Sequence, residues 1–235
     1  TNQKHSNEVY KYAYKQGGIS SADLDRYMRT SVPDIHGFTP QVIEERQMNV
    51  VGMDVFSRLM MDRIIFLGVP VNDYVANVIQ AQLLFLESTD NKRDIQMFVN
   101  SPGGSVISGL GIYDTMQYVS PEIGTICTGL AASMGAVLLC AGTKGKRTCL
   151  PHSRVMIHQP SGGMQGQFSD MEISYNLIKS MRNELYDIMA KHTGKTFEEI
   201  EKDSDRDNWM TAIEAKEYGL VDEVLLTNPR KQKKD

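Results

Sequence analysis

Cysteine is scarce in this chain: there are three, Cys127, Cys140 and Cys149, and none stands in CxxC spacing. That excludes a disulfide framework and a cysteine-rich zinc module, and it predicts a reducing compartment with no metal ligand set. A membrane-length apolar run is missing too. The longest stretch, "GLAASMGAVLLCAG", is internal and shorter than the roughly 20 residues a spanning helix needs. The polar start "TNQKHSNEVYKYAYKQGG" has no signal-peptide core, so a cytoplasmic location without a membrane partner is expected. Positive charge is not in excess: Lys and Arg number 25 against 29 Asp and Glu, a formal net charge of -4. Nothing in that balance suggests a nucleic-acid partner. The one basic cluster, "RKQKKD", follows the last apolar segment and reads as a solvated tail. No GxxxxGK[ST] phosphate loop occurs, so the chain itself has no use for ATP.

What is present suits one large soluble domain with an appendage. Residues 1–40 form a polar extension, rich in tyrosine, with a short helix expected in "SADLDRYMRT" capped by Ser21. Residues 41–227 make the folded domain and 228–235 the basic tail. Strand and helix alternate through that domain: "RIIFLG" then "NDYVANVIQAQLLFLEST", with Ala76, Ile79, Leu83 and Leu86 on one helical face. A unit of strand, small-residue turn and helix then occurs twice. "DIQMFVN" runs through "SPGGS" into "VISGLGIYDTMQYV", and "EIGTICTG" runs through "LAAS" into "MGAVLLCAG". Such alternation predicts an α/β fold with parallel strands. "SRVMIHQP" is a further strand, followed by "SGGMQGQ" and a long helix to Gly194 with Leu177, Met181, Leu185 and Ile188 on one stripe. A helix in "TAIEAKEYG" and a strand in "LVDEVLL" close the domain.

Ser133 stands alone among small and apolar residues in "GLAASMGAVLL", where a serine serves close backbone approach as readily as chemistry. As a nucleophile it would need a base and a stabilised oxyanion. Its place at a helix N-terminus makes Met134 N–H one natural donor. The equivalent turn "SPGGS" offers Gly104 N–H as a second, since parallel strands bring both turns to one carboxyl edge. Among five histidines, His158 closes a strand at that same edge and His152 is a rival at the strand's other end. His5 and His36 lie in the extension, and His192 sits at a polar helix end where solvation is expected. For the acid that orients the imidazole, "EKDSDRDNWMTA" offers Glu201, Asp203, Asp205 and Asp207, and spacing alone does not choose.

"NSPGGS", "GIYDTMQY", "GLAASMGAVLL", "GKR", "LPHSRVMIHQP" and "DRDNWMTAIEAKEYGLVDEV" follow one another from about Val42 to Leu226. In this order and spacing they resemble the ClpP family, the proteolytic subunits of the Clp protease. The resemblance implies a ClpP/crotonase-like spiral of βα units with a protruding strand-helix handle. It implies a serine endopeptidase with Ser133 as nucleophile, His158 as base, Asp207 as orienting acid and Gly104 with Met134 as oxyanion donors. It implies substrate gripped along Gly104, Ser105, Val106 and Ile107 on one side and Gln159 and Pro160 on the other, as two extended strands. Two heptameric rings would stack through the handle, with Gln165, Asp205 and Arg206 in the contact. Unfolded proteins would be delivered by an AAA+ Clp unfoldase such as ClpX, ClpA or ClpC, which consumes the ATP; the chain needs no cofactor.

Two departures from the family pattern stand out. The extension is longer than the family's usual short segment. The rim pocket for the unfoldase loop falls on Phe98, Tyr118, Ile126, Leu150 and Leu225 but also on Gln96, Thr128 and Thr148, so it is partly polar. That fits a differently shaped loop or a second, related subunit. Two other readings compete: an acyl-CoA hydratase or isomerase, which shares the repeated βα turn but uses acids where this chain has Ser133 and His158, and a non-catalytic ring subunit.

Overall fold

A computed structural model describes residues 41–46, 49–161 and 166–227. The helix expected after Ser21, the basic tail, His5, His36, Gln165 and most of "SGGMQGQ" lie outside the described residues. The chain divides into two units between Val55 and Phe56. The described part of the first is a hairpin in which β1 (Gln41–Arg46) runs antiparallel to β2 (Asn49–Asp54).

Beyond the hairpin, α1 (Val55–Met61) and β3 (Ile64–Leu67) precede α2 (Asp73–Thr89), β4 (Ile95–Ser101), α3 (Val106–Tyr118), β5 (Ile123–Ala132) and α4 (Met134–Cys140). Ala76, Ile79, Leu83 and Leu86 are the buried residues of α2, as their spacing predicts, and full burial of such an aliphatic side chain contributes about 1.5–3 kcal/mol. Buried Arg63 ties the end of α2 to the sheet: its guanidinium donates to Leu86 O at 2.9 Å, Arg93 O at 2.8 Å and Asp94 O at 3.1 Å. Leu86 O also accepts Asp90 N–H at 3.1 Å, so the cation adds to the helix C-cap and holds the two loop carbonyls beyond it.

The main sheet runs β3-β4-β5-β6-β9, with β6 (Arg147–Cys149) and β9 (Glu223–Val224) parallel to the rest. β5 forks. Its first half pairs with β6, Thr125 opposite Arg147, and its second half with β7 (Arg154–Ile157), Leu130 opposite Arg154. A bulge between Val99 and Ser101 allows the bend. Asn100 Oδ1 there accepts Leu130 N–H at 3.0 Å. β8 (Asn208–Thr211) adds antiparallel to β7. The long second half of β5 is a correction: "LAAS" is strand through Ala132, and the turn is confined to Ser133.

The core is continuous between sheet and helices, with Leu67, Met97, Val99, Ile112, Cys127, Leu138 and Leu139 fully buried. All three cysteines are free and buried. Arg147, also buried, pairs with Asp222 at 2.6 Å and donates to His192 O at 2.8 Å, joining β6 to the approach of β9 and to the end of α5 (Phe168–Thr193). α5 has two characters. Leu185, Tyr186, Ile188 and Met189 are buried, whereas Phe168, Ile173, Tyr175 and Leu177 on its first turns are exposed. The expected stripe is therefore buried only at Leu185 and Ile188. α6 (Phe197–Asp203) and α7 (Ala212–Tyr218) follow, each opened by a threonine–glutamate capping box.

Candidate active site

The two βα turns meet where β4 and β5 end. Ser133 joins β5 to α4 with φ 54° and ψ -123°, a left-handed conformation that a residue with a Cβ adopts at a cost of about 1–3 kcal/mol. Neighbours hold it there. Ser133 N–H donates to Met156 O at 2.8 Å, while Ser133 O accepts Ala136 N–H at 2.9 Å and Val137 N–H at 3.2 Å. Its side chain makes no capping bond to its own helix, so the hydroxyl is left for other work. Met134 N–H belongs to the first turn of α4, where amides have no intrahelical acceptor.

The β4–α3 turn approaches from one strand away. Gly103 and Gly104 both have positive φ, 87° and 146°. A Cβ on Gly103 would lie 2.6 Å from Ala132 O and 2.8 Å from Met134 N, so the two turns are in backbone contact. Gly103 O accepts Val71 N–H at 2.8 Å and Ser105 N–H donates to Val71 O at 2.9 Å. In a trans peptide C=O and N–H point oppositely, and Gly103 C=O is turned to Val71. Gly104 N–H therefore points away from Val71.

His158 directly follows β7 and lines one pocket with Ser133. Val137, Ile157, Leu185, Tyr186 and Met189 give that pocket an apolar wall. His158 Nδ1 lies 2.9 Å from Asp207 Oδ1. A carboxylate only accepts, so the hydrogen belongs on Nδ1, which leaves Nε2 with the lone pair a base requires. Among the described residues no hydrogen bond joins Ser133 Oγ to His158, the looser arrangement common without substrate.

The acidic run resolves into separate partnerships. Glu201 pairs with Arg182 at 3.3 Å, Asp203 accepts from Tyr218 OH at 3.0 Å, and Asp205 O and Oδ1 take Gln159 Nε2–H. Only Asp207 of the four meets His158. His152 is exposed at the far end of β7. His192 is not solvated as expected: it stands edge-on to Tyr113 with centroids 5.7 Å apart, and burial lowers its pKa to about 4. Neither shares the pocket.

Of the residues expected to grip substrate as strand, Val106 and Ile107 do not fit that conformation. They open α3, because Ser105 Oγ accepts Ser108 N–H and caps the helix one residue earlier. Gly104 alone keeps a strand-like bridge, to Val71. Gln159 N–H is bound to Ser204 O at 2.6 Å, and Pro160 lines the pocket. Asp205 and Arg206 are exposed. The rim positions Gln96 and Phe98 of β4, Ile126 and Thr128 of β5 and Thr148 of β6 share the partly exposed face of the sheet, with Phe98, Ile126 and Thr148 in register. Leu150 and Tyr118 are exposed and Leu225 is half-buried. Phe66, which the sequence reading missed, stacks on Phe98 at 6.3 Å and extends that face. The sequence held no signal for it, since "IIFL" is apolar throughout and only its burial alternates.

A sequence model of the Clp protease family matches residues 46–228. The chain belongs to that family. Curated relatives named ATP-dependent Clp protease proteolytic subunit include one from Porphyromonas gingivalis, 61% identical over 94% of this chain and 99% of its own length. Others, from Bacteroides fragilis and Bacteroides thetaiotaomicron, are each 58% identical over 92% of this chain and 97% of theirs. With coverage of 94% of this chain, most of residues 1–40 falls inside the match to the first relative. The extension is thus shared with such relatives although the family model begins after it. Membership makes the chain a peptidase of the serine class, and the hydratase and structural-subunit readings are not favoured. Among the described residues no helix is long and apolar enough to cross a membrane.

Proposed function

We propose that the chain is a serine endopeptidase in which Ser133, His158 and Asp207 form the catalytic triad. The observation that carries this is the strained Ser133 turn opening into the pocket of a histidine whose Nδ1 is held by Asp207. Ser133 Oγ attacks the peptide carbonyl as His158 Nε2 takes its proton, forming a C–O bond and a tetrahedral oxyanion. Met134 N–H and Gly104 N–H donate to that oxygen, and Asp207 stabilises the imidazolium. Collapse breaks the C–N bond, the amine leaves with the proton from His158, and water then releases the acyl group by the same steps in reverse. The apolar wall strengthens each of these polar contacts by excluding water.

The exposed Phe168, Ile173, Tyr175 and Leu177 on α5 support burial of that segment in an assembly. We read the assembly as two stacked heptameric rings with Gln165, Asp205 and Arg206 at their contact. Gly104, Ser105, Gln159 and Pro160 flank the substrate, with Val106 and Ile107 lining the cleft from the helix. The rim face receives a loop of an AAA+ Clp unfoldase, the component that uses ATP, and its residues Gln96, Thr128 and Thr148 make the fit selective. Working in the cytoplasm without a cofactor of its own, the protease degrades unfolded proteins for quality control. Residues 1–40 are an extension, 41–227 the peptidase domain and 228–235 a tail.

Hydrolysis of an internally quenched peptide tests the reading. Ser133→Ala should remove at least 10³-fold of the rate while native mass spectrometry still finds the tetradecamer. Wild-type turnover in that variant refutes the triad, and a monomer with full activity refutes the barrel.

A further inference from the structure

α2 starts beside the β4–α3 turn, and its first residue reaches across to it. Asp73 Oδ1 accepts the Ser108 hydroxyl, and Ser108 is buried at the start of α3, 7% exposed. Ser108 Oγ also lies 2.7 Å from Ser105 Oγ, which accepts Ser108 N–H at 3.3 Å. A hydroxyl has one hydrogen. With Ser108 giving its own to Asp73, the hydrogen between the two hydroxyls comes from Ser105, and the chain runs Ser105 to Ser108 to Asp73. Two residues before Asp73, Val71 holds the backbone on either side of Gly104 through Gly103 O and Ser105 N. The segment 71–73 thus grips the turn by its main chain at one end and by side chains at the other. Gly104 has φ 146° and no Cβ to restrain it, so its amide direction depends on that grip.

We infer that Asp73 is a positioning residue for peptide hydrolysis: through Ser108 and Ser105 it fixes the direction of Gly104 N–H towards the developing oxyanion. The inference rests on the peptidase reading above. Asp73 also lies in the first turn of α2, where any carboxylate favours the helix dipole. Ser108→Ala separates the two roles, because it leaves the Asp73 charge in place and breaks only the chain to Gly104.

The test uses the assembled full chain and the variants Asp73→Ala, Ser108→Ala and Asp73→Asn. kcat and KM are measured on a quenched peptide, affinity for a peptide boronate is titrated, and binding of uncleaved peptide is measured in a Ser133→Ala background. A boronate adduct on Ser133 places an oxygen where the oxyanion forms. Asp73→Ala and Ser108→Ala should lower kcat about tenfold, less than the roughly 10²–10³ expected when an oxyanion donor is removed outright. KM and uncleaved-peptide binding should stay within about twofold, and boronate affinity should fall with kcat. Asp73→Asn, whose amide oxygen still accepts from Ser108, should recover most of the rate. Wild-type kcat in Ser108→Ala overturns the inference, as does a loss confined to KM or an unchanged boronate affinity. Should Asp73→Ala fail to assemble, Ser108→Ala decides alone by the same criteria. A wild-type protein that neither cleaves peptide nor binds boronate overturns the peptidase reading and this inference with it; an active wild-type with unaffected variants overturns this inference only.

Discussion

The β4–α3 and β5–α4 turns have the same topology and opposite designs. Both leave a parallel strand through residues of positive φ, but Gly103 and Gly104 occupy the first and Ser133 the second. Glycine accepts such dihedrals without strain, so the first turn spends its residues on shape alone. Ser133 carries a Cβ and a hydroxyl into a conformation that disfavours them. In the proposed triad the strained turn presents the reacting group and the relaxed one comes close enough to supply a main-chain donor, and the close approach of Gly103 to Ala132 O, Met134 N and the Ser133 Cβ couples them. On the proposed reading, the repeated unit divides into a nucleophile and its electrostatic support.

If that division is right, damage to the nucleophile's relay should exceed damage to the supporting turn. Asp207→Asn removes the carboxylate that fixes the His158 tautomer, and kcat should fall by about 10⁴ with assembly intact. Asp203→Asn, whose partner is Tyr218, should keep nearly full turnover. The reverse pattern in peptide assays would give the acid's role to the wrong residue. Gly104→Ala comes next. Its Cβ would sit 2.2 Å from Val71 O, so the bridge must shift, and kcat should drop by about 10²-fold as the amide moves. Gly103→Ala meets backbone at 2.6 Å at φ 87° and should lose about 2–4 kcal/mol of stability, read by denaturant unfolding.

The smallest effect has the opposite sign. Ser133→Gly relieves the strained φ and should stabilise the inactive protein by about 1 kcal/mol relative to Ser133→Ala, which keeps the Cβ. Equal midpoints for the two variants would mean that the Ser133 conformation stores no strain and that the two turns differ in chemistry alone.

Sequence reasoning reached the parts governed by local periodicity. α2 follows from Ala76, Ile79, Leu83 and Leu86, and Ser133 and "SPGGS" from the repeat of strand, small-residue turn and helix. It could not choose among Glu201, Asp203, Asp205 and Asp207, because each acid's role is set by a partner distant in sequence: Arg182, Tyr218, Gln159 and His158. Resemblance to a family named Asp207 before geometry did. The same limit hid β8 and α6, both only a few residues long, and the part-buried Arg147–Asp222 pair, whose members are 75 residues apart. The resemblance placed Val106 and Ile107 in a substrate-gripping strand, whereas the helix read from "VISGLGIYDTMQYV" is the one observed, opened by the Ser105 cap. His192 read as solvated because its chain neighbours are polar, while Tyr113, which covers it, lies on another helix.

The central claim is that Ser133 is activated by His158 and Asp207 in this pocket. Reaction of the wild-type chain with a fluorophosphonate, followed by peptide mapping, tests it most directly. The account predicts a single covalent label on Ser133, greatly slowed in Asp207→Asn and absent from Ser133→Ala. A label on another serine, or equal labelling rates in wild type and Asp207→Asn, would contradict it.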